Sequence, residues 1–136
     1  MRVEFIAGFG PIVDDMPASR AFYQDALGLP LEGDATYLSA QSIEGVKHFA
    51  LWPLSGAAQS CFGTDQWPND LPTPRAWIEF DVADVAAAAA ELEGKGYRML
   101  LAAKQEPWGQ TVARLLSPEG LLVGVTYTPA LRGASA

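Results

Sequence analysis

The sequence predicts an α+β fold built from two βαβββ modules in tandem. One observation is that the order of strand-like and helix-like stretches in the first half of the 136-residue chain recurs in the second half. The other is that the two halves match at corresponding points. Val13-Asp14-Asp15-Met16 matches Val82-Ala83-Asp84-Val85, where a strand ends and a helix begins, and Trp52-Pro53 matches Thr128-Pro129, where the last strand of each half ends. We interpret the repeat as a duplicated supersecondary unit within one domain.

The first module begins with a strand and a helix. Residues Val3 to Val13 mix β-branched and aromatic residues with glycine, a composition typical of a strand. Asp15 precedes a proline in the first turn of the next segment, which signals the start of a helix. The helix is predicted over Ala18–Leu27 and ends at Gly28. Two or three short strands follow, among them Tyr37–Ala40 and Val46–Trp52.

The second module repeats this order. Ala76–Val82 is predicted to be a strand, and Asp84 is predicted to cap the helix that follows it. That helix covers Val85–Glu93, is rich in alanine, and ends at Gly94. Three more strands are expected, at Tyr97–Ala103, Thr111–Leu116 and Leu122–Thr128.

These elements divide the single domain, residues 1–136, into module one (1–54), a loop (55–74), module two (75–129) and a tail (130–136). The loop is rich in Gly, Ser, Gln, Asn and Pro, and it is long for a compact domain. It also contains Phe62 and Trp67, which are unusual in a plain linker. We therefore expect these two aromatic residues to cover a bound ligand.

Composition excludes several classes of function. With 16 acidic and 9 basic residues the net charge is −7, which argues against binding to nucleic acid or to an anionic membrane but permits a cationic ligand. The sequence has no apolar run long enough to span a bilayer, and its first residues do not resemble a signal peptide, so a cytoplasmic location is expected. A single cysteine, Cys61, cannot form an intrachain disulfide and excludes zinc-finger spacings.

Two motifs carry a resemblance to a known family. Asp15, Ser19, Phe22 and Tyr23, followed by Leu27-Gly28-Leu29, resemble the vicinal oxygen chelate superfamily, which includes glyoxalase I, extradiol dioxygenases, fosfomycin-resistance enzymes and bleomycin resistance proteins. The segments from Trp108 to Thr111 and from Ser117 to Gly120 are similar to the bleomycin-resistance-like branch in particular. The resemblance implies a cupped, incompletely closed mixed β-barrel with helices on the outside, and a homodimer.

The resemblance also implies a divalent metal on the cupped face, held by His or Glu at four positions. In this sequence those positions are Gly8, His48, Trp77 and Gly124. Only His48 has a donor side chain, whereas a catalytic site needs about three protein ligands. We therefore expect no metal or other cofactor. The alternative is a metal held by His48 together with Glu79, which is two residues beyond Trp77 on the same strand face, supplemented by Glu4 or Glu106.

Strand alternation predicts which side chains share the cupped face. Aromatic side chains and carboxylates dominate this set, and they suit a flat or cationic organic ligand. Glu79 or Asp81 would then pair with the cation. The alternative is that the tryptophans are core or dimer-interface residues and that the two carboxylates are solvated. The predicted ligand-binding residues are Trp52, Trp77, Glu79, Trp108, Thr111 and Thr126.

These observations lead to one main hypothesis and two alternatives. The main hypothesis is a metal-independent protein that binds a small organic molecule, as in antibiotic sequestration, and forms a homodimer. The first alternative is a glyoxalase- or dioxygenase-type lyase, isomerase or oxygenase whose atypical site contains His48 and Glu79 as candidate catalytic residues. The second is a regulatory or structural domain with a vestigial cup. The usual signatures of serine hydrolases, P-loop proteins and zinc proteases are missing from the sequence.

Overall fold

Eight strands form one mixed sheet in the computed structural model, which describes residues 1–132. The strands are β1 (Phe5–Val13), β2 (Glu32–Asp34), β3 (Tyr37–Ala40), β4 (Phe49–Pro53), β5 (Ala76–Asp81), β6 (Leu101–Gln105), β7 (Thr111–Leu116) and β8 (Leu122–Tyr127). Their order across the sheet is β2-β3-β4-β1-β5-β8-β7-β6. None of the helices formed by residues 1–132 is long and apolar enough to span a bilayer.

The sheet consists of two equivalent halves that meet at its centre. In each half the first strand lies parallel to the last, β1 beside β4 and β5 beside β8. The halves join where β1 pairs antiparallel with β5, with Gly8 opposite Glu79 and Gly10 opposite Trp77. The α+β fold with tandem βαβββ modules is therefore confirmed, and the two modules pair within one chain. The sheet is not closed, because β2 and β6 are its free edges.

The helices after β1 and β5 begin at the predicted caps. Helix α1 (Met16–Arg20) starts where the Asp15 carboxylate accepts a hydrogen bond from the Ala18 amide at 3.0 Å, and it continues as a π-helical segment, Ala21–Ala26. Helix α3 (Val85–Gly94) starts in the same way, with Asp84 accepting from the Ala87 amide at 3.0 Å. These bonds satisfy amide groups that the first turn of a helix leaves unpaired.

The two equivalent helices pack on one face of the sheet, and a third helix packs on the other. Helix α3 covers a cluster that includes Val82 and Val125, and the first helix covers one that includes Val13 and Leu51. Successive strand residues point to opposite faces, so Ile12 faces away from these clusters. It belongs to a third cluster with Trp52, Ala57, Cys61, Trp77 and Leu122. The helix that packs on this third cluster therefore lies on the cupped face.

This third helix corrects the prediction of a loop at 55–74. Residues Leu54–Phe62 form helix α2, and only the rest of the segment is loop. The buried side of α2 consists of small residues, Ala57, Ala58, Ser60 and Cys61. The helix ends at Gly63, whose φ of 74° lies in the left-handed region. Small residues give a weak hydrophobic pattern, so the helical periodicity is hidden in a composition that is otherwise typical of a loop.

Two strand boundaries also differ from the prediction. Val46–Trp52 was expected to be a strand, but β4 begins at Phe49, and the strand expected at Tyr97–Ala103 begins at Leu101. In the first case the residues before the strand form turns around Gly45, which has a φ of 94°. Where module two meets the predicted tail, Pro129–Leu131 forms one 3₁₀ turn, and residues 133–136 lie outside the described residues.

Candidate functional site

The cupped face of the sheet contains a cavity of about 890 Å³. This volume is within the range of pockets that hold small organic molecules. Its floor comes from both modules, one wall from α2 through Gly56, Gln59 and Ser60, and the rim from residues 106–110 and 129–131. The cavity therefore lies where the duplicated units meet, with lining residues from both of them and from α2.

Three of the four tryptophans, all of them predicted to bind a ligand, line the cavity. Trp52 and Trp77 meet edge to face with ring centroids 6.2 Å apart, and both are nearly buried. The Trp77 indole donates a hydrogen bond to the Ala50 carbonyl at 3.2 Å, which fixes its ring. Trp108 is 60% exposed at the rim, and its indole donates to the Gln110 side-chain oxygen at 2.9 Å. The two inner tryptophans are thus both core and cavity wall, whereas Trp108 is available to a ligand.

The floor of the cavity carries a buried ion pair that the sequence analysis did not anticipate. Arg114, only 1% exposed, donates from Nη1 to Glu79 Oε2 at 3.0 Å and from Nε to Ser60 Oγ at 2.9 Å. The other carboxylate oxygen of Glu79 accepts from the Gln110 amide at 2.9 Å. Both oxygens of Glu79 are engaged, so this carboxylate is not a free counter-charge for a cation. The sequence signal that could have indicated Arg114 is a charged residue inside the otherwise largely apolar strand 111–116.

A second ion pair lies beside the first. Lys104 Nζ is 3.4 Å from Glu106 Oε1, and the same oxygen accepts from Ser60 Oγ at 3.3 Å. Glu106 is almost buried, so it is a structural partner here and not a carboxylate that a metal at His48 could recruit. Among the lining residues, two arginine or lysine side chains face two glutamates, and the cavity is electrically balanced.

A polar triad, Tyr37, Gln41 and His48, occupies the opposite side of the cavity. The Gln41 amide nitrogen is 3.2 Å from His48 Nδ1, and the Tyr37 hydroxyl is 2.6 Å from Nε2. Burial lowers the pKa of His48, with the nearby Glu79 charge opposing the shift, so the ring is neutral at pH 7. Burial, aided by Glu79, raises the pKa of Tyr37, which keeps its proton. With Gln41 donating to Nδ1, the ring proton lies on Nε2 and is donated to Tyr37, whose own hydrogen is left for a ligand.

The prediction that Asp81 faces a cationic ligand is wrong. Asp81 is completely buried, and its oxygens accept from Thr126 Oγ1 and Thr128 Oγ1 at 2.7 Å, the Thr128 amide at 3.0 Å and Arg132 Nε at 2.8 Å. Thr126 is equally buried, so the expectation that it contacts a ligand is also not met. Thr111 pairs with Gln105 and Tyr127 in the sheet and does not line the cavity.

Phe62 and Trp67 do not cover the cavity as expected. Their rings pack edge to face at 5.1 Å, and the Trp67 indole donates to the Pro72 carbonyl at 3.0 Å. Both rest on the third core cluster from outside, and neither lines the cavity. Packing of these two rings removes apolar surface from water, and it therefore holds the segment after α2 against the domain.

Comparison with known proteins agrees with this architecture. The family model of the glyoxalase/bleomycin resistance protein/dioxygenase superfamily matches residues 6–125. The chain belongs to this superfamily. A search of curated protein sequences gives no match.

Solved structures show the same fold at low sequence identity. A glyoxalase/bleomycin resistance protein/dioxygenase superfamily member from Vibrio splendidus 12B01 is 14% identical, with a TM-score of 0.59 over 91% of this chain and 100% of that one. A methylmalonyl-CoA epimerase from Mycobacterium tuberculosis is 19% identical, with a TM-score of 0.55 over 98% and 93%. A variant of the Streptomyces coelicolor epimerase, in complex with 2-nitronate-propionyl-CoA, is 20% identical, with a TM-score of 0.54 over 95% and 97%.

The residues at the four positions where the resemblance implies a divalent metal do not fit one. Both ring nitrogens of His48 are within hydrogen-bond distance of Tyr37 and Gln41. At Gly8 even a methyl group would lie 2.6 Å from the His48 carbonyl oxygen and 3.0 Å from the Trp77 ring. Across residues 1–132 there is no group of three or more His, Cys, Asp or Glu side chains that could hold a metal ion.

Proposed function

We propose that this superfamily member is a metal-independent binding protein for a small, flat organic molecule. The observation that carries the proposal is the balanced, tryptophan-walled cavity of about 890 Å³ with a single imidazole where a metal-binding relative needs several donors. Such a cavity offers affinity through apolar contact and stacking. Binding alone requires no activated nucleophile, and sequestration of an antibiotic-like molecule, the role suggested by the resemblance to bleomycin resistance proteins, needs nothing more.

The charges favour an uncharged ligand over the cationic one expected from composition. Glu79 is paired with Arg114 and Glu106 with Lys104, so neither carboxylate is available for a cation without breaking an ion pair. Separating a buried pair leaves an uncompensated charge and is strongly unfavourable. A neutral aromatic ligand leaves both pairs intact and stacks on Trp108, which is 60% exposed at the rim.

We also propose a homodimer, which the family resemblance implies. Ile6, Phe9 and Phe22 on the side of the sheet that carries α1 are each more than 40% exposed. Burial of these side chains against a second copy would remove them from water. Light scattering coupled to size-exclusion chromatography tests this: a monomer at every concentration up to about 1 mM would overturn the dimer without affecting the binding proposal.

Ligand binding is tested with the indole N–H signals of the ¹⁵N-labelled protein. A panel of bicyclic and tricyclic aromatic compounds, neutral, cationic and anionic, is titrated while the four tryptophans are followed. We expect neutral members to shift Trp52, Trp77 and Trp108 and to leave Trp67 unmoved. Failure of every member to shift the three cavity indoles would contradict the proposal.

Two tryptophan variants provide the matched comparison. Trp108→Ala removes an exposed ring without opening the core, and it should weaken binding about two- to tenfold, the value of one stacking contact. Trp67→Phe changes a tryptophan outside the cavity and should leave affinity unchanged. The metal-independent part is tested separately: about one divalent ion per subunit in purified protein, lost in His48→Ala, would overturn it.

A second candidate function is supported by the Tyr37–His48 hydrogen bond of 2.6 Å at the cavity wall. The Tyr37 hydroxyl accepts from the imidazole and keeps its own hydrogen for a ligand, so it is suited to donate a proton to a substrate oxygen, as in an isomerase or lyase. The test is exchange of the α-hydrogens of 2-tetralone, a neutral bicyclic ketone, in D₂O. Exchange above background that disappears in His48→Gln would favour an enzyme, whereas exchange that is equal in both proteins would exclude this role for His48.

A further inference from the structure

The guanidinium of Arg114 has a hydrogen-bond donor to spare. Its Nε donates to Ser60 and its Nη1 to Glu79, and its Cζ lies over the Trp52 ring, 4.9 Å from the ring centre. No residue within 1–132 accepts a hydrogen bond from its Nη2. Nor is Nη2 sealed inside the protein, because every fully buried side-chain nitrogen or oxygen of these residues has a partner. Arg114 lines the cavity and is otherwise buried, so its Nη2 edge opens into the cavity.

The position of this guanidinium follows from the register of four adjacent strands. Arg114 on β7 is opposite Gly124 on β8, Gly124 is opposite Glu79 on β5, and Glu79 is opposite Gly8 on β1. Two of the four positions at which the resemblance implies metal ligands, Gly8 and Gly124, therefore lie in this row. Neither supplies a donor side chain. The Arg114–Glu79 pair extends across the row in their place.

Gly124 is what makes room for the pair. A methyl group at this position would lie 3.0 Å from Glu79 Cγ and 3.2 Å from Arg114 Nη1, closer than ordinary van der Waals contact. A carboxylate-bearing side chain at 124 would project into the space that the guanidinium occupies. Gly124 therefore has two effects at once: it supplies no metal-binding side chain, and it leaves the space that the Arg114 guanidinium fills.

We propose that Arg114 is the cationic centre of this cup, occupying the place that metal-binding members give to a metal ion, and that its Nη2 binds a carbonyl oxygen of an uncharged aromatic ligand. This inference rests on the proposed function and narrows it to one chemical class. Guanidinium N–H groups are strong donors to oxygen. Because Glu79 already neutralises the charge, a carboxylate ligand would add an unbalanced negative charge to a buried site, whereas a ketone, lactone, amide or quinone oxygen would not.

Four bicyclic probes of similar size separate these possibilities in the unmodified protein: coumarin (a neutral carbonyl), naphthalene (no polar atom), 2-naphthoate (anionic) and N-methylquinolinium (cationic). Affinities come from calorimetry, and the site of binding from the four indole N–H signals. We expect coumarin to bind at least about tenfold more tightly than naphthalene, the effect of one hydrogen bond from a charged donor. Among the four probes, only coumarin should shift the side-chain N–H signal of Arg114.

The outcomes distinguish this inference from the proposed function. If naphthalene binds in the cavity as tightly as coumarin, Arg114 does not recognise the oxygen and the inference is overturned, while the binding proposal stands. If none of the probes shifts the cavity tryptophans, the proposed function fails and the inference fails with it. Preferential binding of N-methylquinolinium would overturn the inference and restore the expectation of a cationic ligand.

Two variants test the role of Arg114 directly. The double variant Arg114→Gln/Glu79→Gln removes both charges together, which avoids leaving one buried charge without its partner. It should bind naphthalene as before and lose the preference for coumarin. Glu79→Gln alone leaves the guanidinium uncompensated, so 2-naphthoate should gain at least about tenfold relative to coumarin. If 2-naphthoate gains nothing in a folded Glu79→Gln protein, Arg114 does not face the ligand.

Discussion

At the scale of single residues, glycines determine how the cup is built. A glycine inside a strand costs stability, and the close approach of a ligand or of another backbone is one reason to have it. The structure shows that other parts of the protein make the approach. A methyl group on Gly10 would lie 1.9 Å from the Ala50 carbonyl oxygen, and one on Gly8 would lie 2.6 Å from that of His48. These glycines allow β1 and β4 to lie close together and so shape the cavity indirectly.

Gly124→Ala should destabilise the fold by about 1–2 kcal/mol, because the added methyl group crowds Glu79 Cγ and Arg114 Nη1 and strains a buried ion pair. The free energy of unfolding in urea measures the effect. Gly94→Ala is the control, since a methyl group there meets nothing within 4 Å and lies at the end of α3, where alanine is favoured. Equal stability of the two variants would show that the Arg114–Glu79 pair can accommodate a methyl group at position 124.

The protonation of His48 gives a prediction about pH. Burial lowers its pKa below the ordinary value of 6.5, so the unfolded chain binds a proton that the folded protein does not between pH 6.5 and the lowered pKa. Stability should therefore fall as pH decreases through this window, and the fall should be smaller in His48→Gln. As the only histidine, His48 can be followed directly by its ring proton in NMR. A midpoint at or above 6.5 would contradict the neutral, buried ring.

At the scale of elements, local signals determined what could be predicted. Asp15 and Asp84 were predicted as helix caps because a carboxylate before a helical stripe has a local cause that needs no knowledge of the fold. Helix α2 could not be predicted in the same way. Its buried side consists of alanine, serine and cysteine, and what stabilises it is contact with Trp52, which lies before the helix, and Trp77, which lies beyond it.

Cys61 makes α2 directly testable. Burial raises the pKa of this thiol to about 11, with Arg114 opposing the shift, so the reactive thiolate is rare at pH 8. We expect a thiol reagent to label the native protein at pH 8 roughly 100-fold more slowly than the urea-unfolded protein, since an ordinary cysteine has a pKa near 8.5. Coumarin in the cavity should slow labelling further, because Gly56 and Ser60 of the same helix line it. Labelling as fast as in urea would show that α2 is not packed.

At the scale of the whole molecule, the duplicated unit and the cupped sheet followed from sequence, but the chemistry inside the cup did not. Alternation along each strand correctly put Trp77 and Glu79 on one face. It could not show that Arg114 reaches Glu79, because that contact depends on the lateral register of β7, β8 and β5, which comes from long-range pairing. For the same reason Asp81 was misread as a free carboxylate: its partners Thr126, Thr128 and Arg132 lie more than 40 residues away.

The last of these contacts joins the tail that follows module two to the centre of the sheet. Arg132 Nε donates to Asp81 at 2.8 Å, and Nη2 donates to Glu4, at the start of the chain, at 2.5 Å. Because Asp81 is fully buried, removing a charged partner should cost about 1.5–3 kcal/mol. We therefore expect Arg132→Met to lower the free energy of unfolding in urea by that amount.

Glu4→Gln is the matched control for Arg132→Met. It changes only the outer half of the contact, between two partly exposed side chains, so the free energy of unfolding should fall by less than about 1 kcal/mol. If Arg132→Met costs no more than this control, the threonine hydroxyls and the Thr128 amide alone satisfy Asp81. The 129–131 turn at the cavity rim would then be positioned without the Arg132–Asp81 ion pair. A larger loss places the ion pair with Asp81 among the interactions that fix this rim, so Arg132→Met should also weaken coumarin binding where Glu4→Gln does not.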